Sequence, residues 1–187
     1  MRPVVRYAFI VALGLLSIGF GSAFASHAYV GYHWSYSNPA YHIDGSLYNL
    51  NMVDGSNPAT LTNGGAGKWN GFSNFYLHLQ DGSWGYYGSE SLPSSIAGET
   101  HTYVYPFTQT IYNTITHLNV NLRWAAYDCT SCSPRIFNLD WVATHESGHW
   151  VMLEDITDTS SVMHYLYYSG YASVDSHSKQ TVRSIYG

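Results

Sequence analysis

Charge is what this 187-residue chain has least of. Only 10% of its residues are Asp, Glu, Lys or Arg, and seven basic residues face twelve acidic ones. So few cations exclude the electrostatic footing that nucleic-acid binding or adhesion to anionic lipid requires. Cysteine is scarcer still, with Cys129 and Cys132 the only two. One pair builds neither a four-thiolate zinc site nor a framework of several bridges. There is no internal repeat and no low-complexity linker, and past residue 20 no apolar run is long enough to span a membrane. What remains abundant is Tyr, Trp, Gly, Ser and Asn. Low charge with many polar aromatics suits an extracellular protein built on extended strands, not a disordered one.

The first 25 residues read as an address. Arg2 and Arg6 form a positive start, Tyr7 to Phe20 is apolar, and Ala23-Phe24-Ala25 is an A-x-A cleavage site. The run is short for a membrane anchor. Cleavage after Ala25 leaves residues 26–187, one domain by length, for secretion to the extracellular space. Five basic residues then stand against twelve acidic, a net charge of −7 with His neutral. In an exported protein the default for Cys129 and Cys132 is a disulfide closing the C-T-S-C loop, with free thiols next.

Alternation predicts strands over Tyr29–Tyr36, Phe75–Gln80, His101–Phe107 and Thr116–Ala126, the last with Leu118, Val120, Leu122 and Trp124 on one face. Pro106 confines the third to an edge or a strand end. Residues 57–70 predict a helix capped by Asn57 with Pro58 at its first position, although three glycines weaken it. Ser83–Gly98 reads as a loop. A last amphipathic segment covers Val174–Tyr186. One early helix, several strands and two late helices make an α+β domain.

The chemistry concentrates in NLDWVATHESGHWVMLEDITDTSSVMHY, residues 138–165. Asn138 is a good N-cap and Asp140 suits the positive end of a helix. Leu139, Val142, Ala143 and Trp150 make a stripe to bury it. His145, Glu146 and His149 form H-E-x-x-H, which puts both imidazoles on one helical face, one turn apart. Two imidazoles aimed at one point suit zinc, and Glu146 beside them suits the general base that takes a proton from an attacking water. Zinc needs a third protein ligand. Downstream the only Glu is Glu154, and the Asp candidates are Asp155, Asp158 and Asp175.

The run H-E-S-G-H-W-V-M-L-E-D followed by S-S-V-M-H-Y resembles the metzincin pattern H-E-x-x-H-x-x-G-x-x-H with its Met-containing turn. Within that group it is similar to the matrixins. The helix entry N-L-D-W-V-A-T-H-E and the ending S-K-Q-T-V-R-S-I-Y-G resemble theirs as well. The resemblance implies a zincin-like fold: a twisted sheet with an antiparallel edge, an active-site helix, an upper part of about 26–151 and a small lower part of about 152–187. It implies a zinc metalloendopeptidase with His145 and His149 as ligands and Glu146 as base. Asp155 falls on the third-ligand position, as in snapalysin-like members, and Glu154 is its competitor. Met163 then marks the turn beneath the metal, and Tyr165 is similar to the tyrosine that faces the metal in astacins and serralysins. A peptide substrate would lie extended along an edge strand, and the chain would act as a monomer. Structural calcium is an open expectation for a secreted peptidase, with no acidic loop that marks a site. His78, His101 and His117 read as structural or exposed, with no second zinc site assigned.

One departure matters. The family glycine before the third ligand is Met152 here, and a left-handed Met costs about 1–2 kcal/mol that packing must offset. That replacement favours an alternative, an inactive zinc-binding interaction protein of the same fold. A third reading is an aromatic-rich module that binds glycan, with the motif incidental.

Overall fold

The computed structural model describes residues 4–10, 31–166 and 173–187, the first segment as backbone. In chain order come β1 (Val4–Ile10), β2 (His33–Trp34), β3 (Ala40–Ile43), a 3-10 turn at Gly45–Asn49 and β4 (Asn51–Met52). Helix α1 (Pro58–Gly67) precedes β5 (His78–Leu79), β6 (Gly85–Glu90), β7 (Ile96–Val104), β8 (Thr110–Asn119), β9 (Arg123–Ala125) and β10 (Ile136–Asn138). Helices α2 (Leu139–Trp150) and α3 (Ser176–Tyr186) follow. The main sheet runs β1-β7-β8-β6-β3-β5, with β2 also beside β8. Strands β2, β3, β5, β6 and β8 pair in parallel, while β7 runs against β8 and β1 against β7, so the expected antiparallel edge is present. A small parallel sheet, β10-β9-β4, lies apart. The apolar run beyond Ile10 and the Ala23–Ala25 site lie outside the described residues. Among those residues no helix is long and apolar enough to cross a membrane.

Helix α1 begins as its sequence predicts: Asn57 Oδ1 accepts from Thr60 N–H at 3.1 Å and Pro58 takes the first turn. One of its glycines has a packing reason. A Cβ on Gly65 would lie 2.7 Å from the Asp140 carbonyl and 2.8 Å from Ala143 Cβ, so the bare position lets α1 and α2 touch backbone to backbone. Trp69 seals the contact by donating to the Thr144 carbonyl at 2.7 Å.

Four expectations about where strands lie need correction. Residues 83–98 are not all loop, since β6 lies in the middle of the sheet between β3 and β8. Gly85 and Gly88 hide it from a propensity reading. Gly85 is there because the Trp150 ring covers it, with a Cβ calculated to sit 2.8 Å from Cη2. The long strand predicted over Thr116–Ala126 is two strands. Buried Asn119 breaks it by accepting from Leu92 N–H and Asn121 N–H and donating to the Pro93 and Ile96 carbonyls. Phe75–Gln80 pairs only at His78–Leu79, because Asn70 satisfies the Leu77 backbone on both sides, at 2.7 and 2.8 Å. The first strand is also short, covering His33–Trp34 within the described part of Tyr29–Tyr36.

Helix α2 is buried along nearly its whole length beneath the sheet. Trp150 stacks on Tyr87 at 5.3 Å and 6°, and its carbonyl accepts from Trp34 Nε1–H at 2.8 Å. The Cys129–Cys132 disulfide is formed just ahead of β10 and α2.

Candidate metal centre and active site

Asn138 starts α2 by accepting from Trp141 N–H at 3.2 Å, and Asp140 in the first turn pairs with Lys68. The helix then carries His145, Glu146 and His149, all fully buried. It ends in a turn that a glycine would normally make. Met152 has φ +60°, Met152 N–H donates to the His149 carbonyl at 3.1 Å, and Leu153 N–H donates to the Gly148 carbonyl at 3.1 Å. That pair of bonds around a left-handed residue is the Schellman motif. Met152 holds it with no surface exposed, so core packing offsets the backbone strain.

The reversal sends the chain back past the imidazoles. Asp155 Oδ1 comes to 3.1 Å from His145 Nε2 and 3.5 Å from His149 Nε2, and the two Nε2 atoms are 3.2 Å apart. Glu154 is not part of the cluster. Asp175 serves elsewhere: it caps α3 and accepts from Ser161 Oγ at 2.7 Å. Asp158 accepts from Ser160 within its own turn.

Each imidazole is aimed by a carbonyl from the segment after the helix. His145 Nδ1 is 2.7 Å from the Val162 carbonyl, and His149 Nδ1 is 2.7 Å from the Leu153 carbonyl. A carbonyl only accepts, so both Nδ1 atoms carry hydrogen and both Nε2 atoms turn lone pairs toward the centre. Asp155 Oδ1 is buried there without a hydrogen-bond partner among the described residues. Three converging lone-pair donors with one orphaned carboxylate oxygen fit a dication, and the two-imidazole, one-carboxylate set suits zinc.

The electrostatics agree with a site built for positive charge. Burial opposes protonation of His145, but the Asp155 carboxylate outweighs it and raises the pKa. Burial pushes Asp155 up, yet the neighbouring imidazoles, His145 first, bring it below the ordinary carboxylate value. Burial takes His149 down to about 4. Glu146, also buried, is pushed up to about 8.

Below the cluster, Met163 is fully buried, and its Sδ occupies the space over Gly148. A Cβ on Gly148 would lie 2.1 Å from that sulfur and 2.9 Å from Trp69. Ser161 ties the same turn together, with its Oγ accepting from Met163 N–H at 3.0 Å while donating to Asp175. Tyr165 is at the surface, 37% exposed, with its ring 4.8 Å from that of His164. Its hydroxyl makes no hydrogen bond among the described residues.

The sequence reading missed Thr100 and Gly98. Both lie on β7, far from the motif in sequence, and both touch Glu146: Thr100 Oγ1 donates to Oε2 at 2.6 Å, and a Cβ on Gly98 would come to 2.8 Å from Oε1. No local signal marks them, because only the packing of α2 on β7 brings them there.

A parallel-stranded sheet with an antiparallel edge, over a helix whose two histidines meet a returning carboxylate, defines a metallopeptidase of zincin-like fold. Within that class the chain belongs to the matrixin family, whose model matches residues 80–187, more than half its length. No curated protein matches it.

Proposed function

We propose that this protein is a secreted zinc endopeptidase. The reading rests on the convergence of His145, His149 and Asp155 beside a buried Glu146 whose Oε1 has no hydrogen-bond partner among the described residues. Those three side chains would hold zinc, which would supply a Lewis acid for the scissile carbonyl and for a water. Glu146 takes the proton of the attacking water and delivers it to the leaving amine. Tyr165 is assigned to donate a hydrogen bond to the carbonyl oxygen as negative charge develops on it.

Once cleavage after Ala25 has removed β1 from it, the outer edge of β7, the strand that carries Gly98 and Thr100 against the base, takes the substrate in extended form. Support comes from β1, which pairs antiparallel with that edge from Val4↔Tyr103 to Ile10↔Ile96. The edge is thus disposed to take an extended peptide by main-chain hydrogen bonds. Met152, the feature that favoured an inactive relative, adopts the turn that the third ligand needs, which supports a working site.

The decisive experiment is hydrolysis of an unstructured protein substrate by the purified protein, with and without chelator, beside Glu146→Gln. Activity lost on chelation, restored by zinc and abolished in Glu146→Gln is expected. Full activity in Glu146→Gln removes the assigned base. Secretion is checked by the N-terminus of protein recovered from culture medium, expected at Ser26.

A further inference from the structure

The two oxygens of Glu146 are treated differently. Oε2 accepts from Thr100 Oγ1 at 2.6 Å, whereas Oε1 has no partner among the described residues. Behind Thr100 the contacts continue: its Oγ1 is 2.8 Å from Thr116 Oγ1, and Thr116 Oγ1 accepts from Trp150 Nε1–H at 3.0 Å. All four side chains are fully buried. An indole N–H only donates, and Glu146 in the ionised form that a base requires only accepts, so in that form the direction of the chain is determined. Trp150 donates to Thr116, Thr116 to Thr100, and Thr100 to Glu146. The Glu146 carbonyl, 3.4 Å from Thr100 Oγ1, is the longer and weaker alternative acceptor.

Gly98 makes the seat. It lies two residues before Thr100 on the same inward face of β7. A Cβ there would sit 2.8 Å from Oε1 and 3.0 Å from Cγ and Cδ. The carboxylate is therefore laid flat on a bare patch of strand with one oxygen tethered. The sheet also contains its own comparison. Thr102 and Thr114 form the next inward pair along β7 and β8, with hydroxyls 3.3 Å apart, and neither touches a carboxylate.

We infer that Thr100, backed by Thr116 and Trp150, is a positioning residue for the general base: it holds Oε2 so that Oε1 is presented to the reacting water. Hydroxyls are suited to this, because they orient the carboxylate without placing a full positive charge beside it. The inference rests on the reading of Glu146 as the base.

The test compares Thr100→Val, Thr100→Ser and Thr102→Val in the purified protein, with Glu146→Gln in parallel. Thr100→Val should lower kcat about 10- to 100-fold, the range seen for residues that orient catalytic groups, with KM and zinc content unchanged. Thr100→Ser should recover most of the rate, and Thr102→Val should stay within about twofold of the parent. An independent readout is the infrared carboxyl band of the metal-free protein, identified as the band that Glu146→Gln removes. Loss of the hydrogen bond should move it in Thr100→Val but not in Thr102→Val. Unchanged kcat and an unmoved band in Thr100→Val, with Glu146→Gln inactive, overturn the positioning role alone. So does an equal loss in Thr100→Val and Thr102→Val. A parent without hydrolytic activity, or an active Glu146→Gln, instead overturns the base and the inference with it.

Discussion

His145 Nδ1 donates to the Val162 carbonyl at 2.7 Å, so the helix that begins the metal site is held by the turn that closes it. The segment after the helix thereby sets the direction of an imidazole on it. Removing the third ligand tests that closure. Asp155→Ala should leave the purified protein with little bound zinc after dialysis, while Glu154→Ala should keep a full equivalent. Metal analysis of both variants decides the register, and the opposite pattern would move the ligand to Glu154.

Tyr165 is the most exposed of the proposed site residues. If its hydroxyl reaches the developing oxyanion, Tyr165→Phe should lower kcat about 10- to 100-fold with little change in KM, somewhat less than loss of a rigid oxyanion donor. Steady-state kinetics on one peptide suffices, and an unchanged kcat would return Tyr165 to the surface.

Metal affinity should fall on acidification with the pH dependence of a single strong competitor. His149 stays neutral down to about 4, whereas His145 has its pKa raised by Asp155. Zinc needs neutral imidazoles, so it displaces one proton at pH values between about 4 and the raised His145 pKa. Affinity should drop about tenfold per pH unit in that window, and more steeply below it. Competition titration with a chromophoric chelator measures the slope; a flat profile from pH 7 to 5 would contradict the pairing of His145 with Asp155.

The proposed base should be a liability for the metal-free fold. Glu146 has a folded pKa of about 8, above its ordinary 4.5, with burial the main cause. Its ionisation therefore opposes folding: the penalty is absent below 4.5, grows as pH rises and levels off above about 8. Glu146→Gln removes that penalty while keeping an acceptor for Thr100. We expect a gain of about 1–3 kcal/mol near pH 8 and none at pH 4.5. Urea unfolding of chelated protein at the two pH values is the check, and an equal effect at both would rule out ionisation as the cause.

Met152→Gly separates backbone strain from packing. Glycine relieves a left-handed conformation by about 1 kcal/mol but removes a fully buried side chain, a loss of about 2–5 kcal/mol. The variant should be less stable by about 1–4 kcal/mol and still bind zinc, because the turn itself is retained. Greater stability in the same unfolding assay would mean that the Met side chain does not offset the strain.

The active-site helix was legible because its signals are local: a cap, an acidic first turn, a stripe and the spacing of two histidines. Asp155 was legible only through resemblance to the matrixin pattern, since its distance from the helix depends on a turn that Met152 disguises. Strand β6 was not legible, because Gly85 answers to Trp150 and Gly88 to Ser46, each from another element, and not to strand propensity. The same holds for the break at Asn119, where a buried amide binds a loop 23 to 27 residues back in the chain. Gly65 and Thr100 make the point from the other side. One looked like a helix defect and the other fell between the expected loop and the expected strand, until a neighbouring element gave each a partner.

A metal-binding signature written H-E-x-x-H treats its two middle letters as wildcards. Here neither is one. Ser147 donates to the Ala143 carbonyl at 2.5 Å and shares a hydrogen bond with Tyr87 at 2.7 Å, while Gly148 leaves the room that the Met163 sulfur occupies. A search that lets those positions vary would accept sequences that this molecule could not fold, so for this chain the working signature is all five letters, H-E-S-G-H.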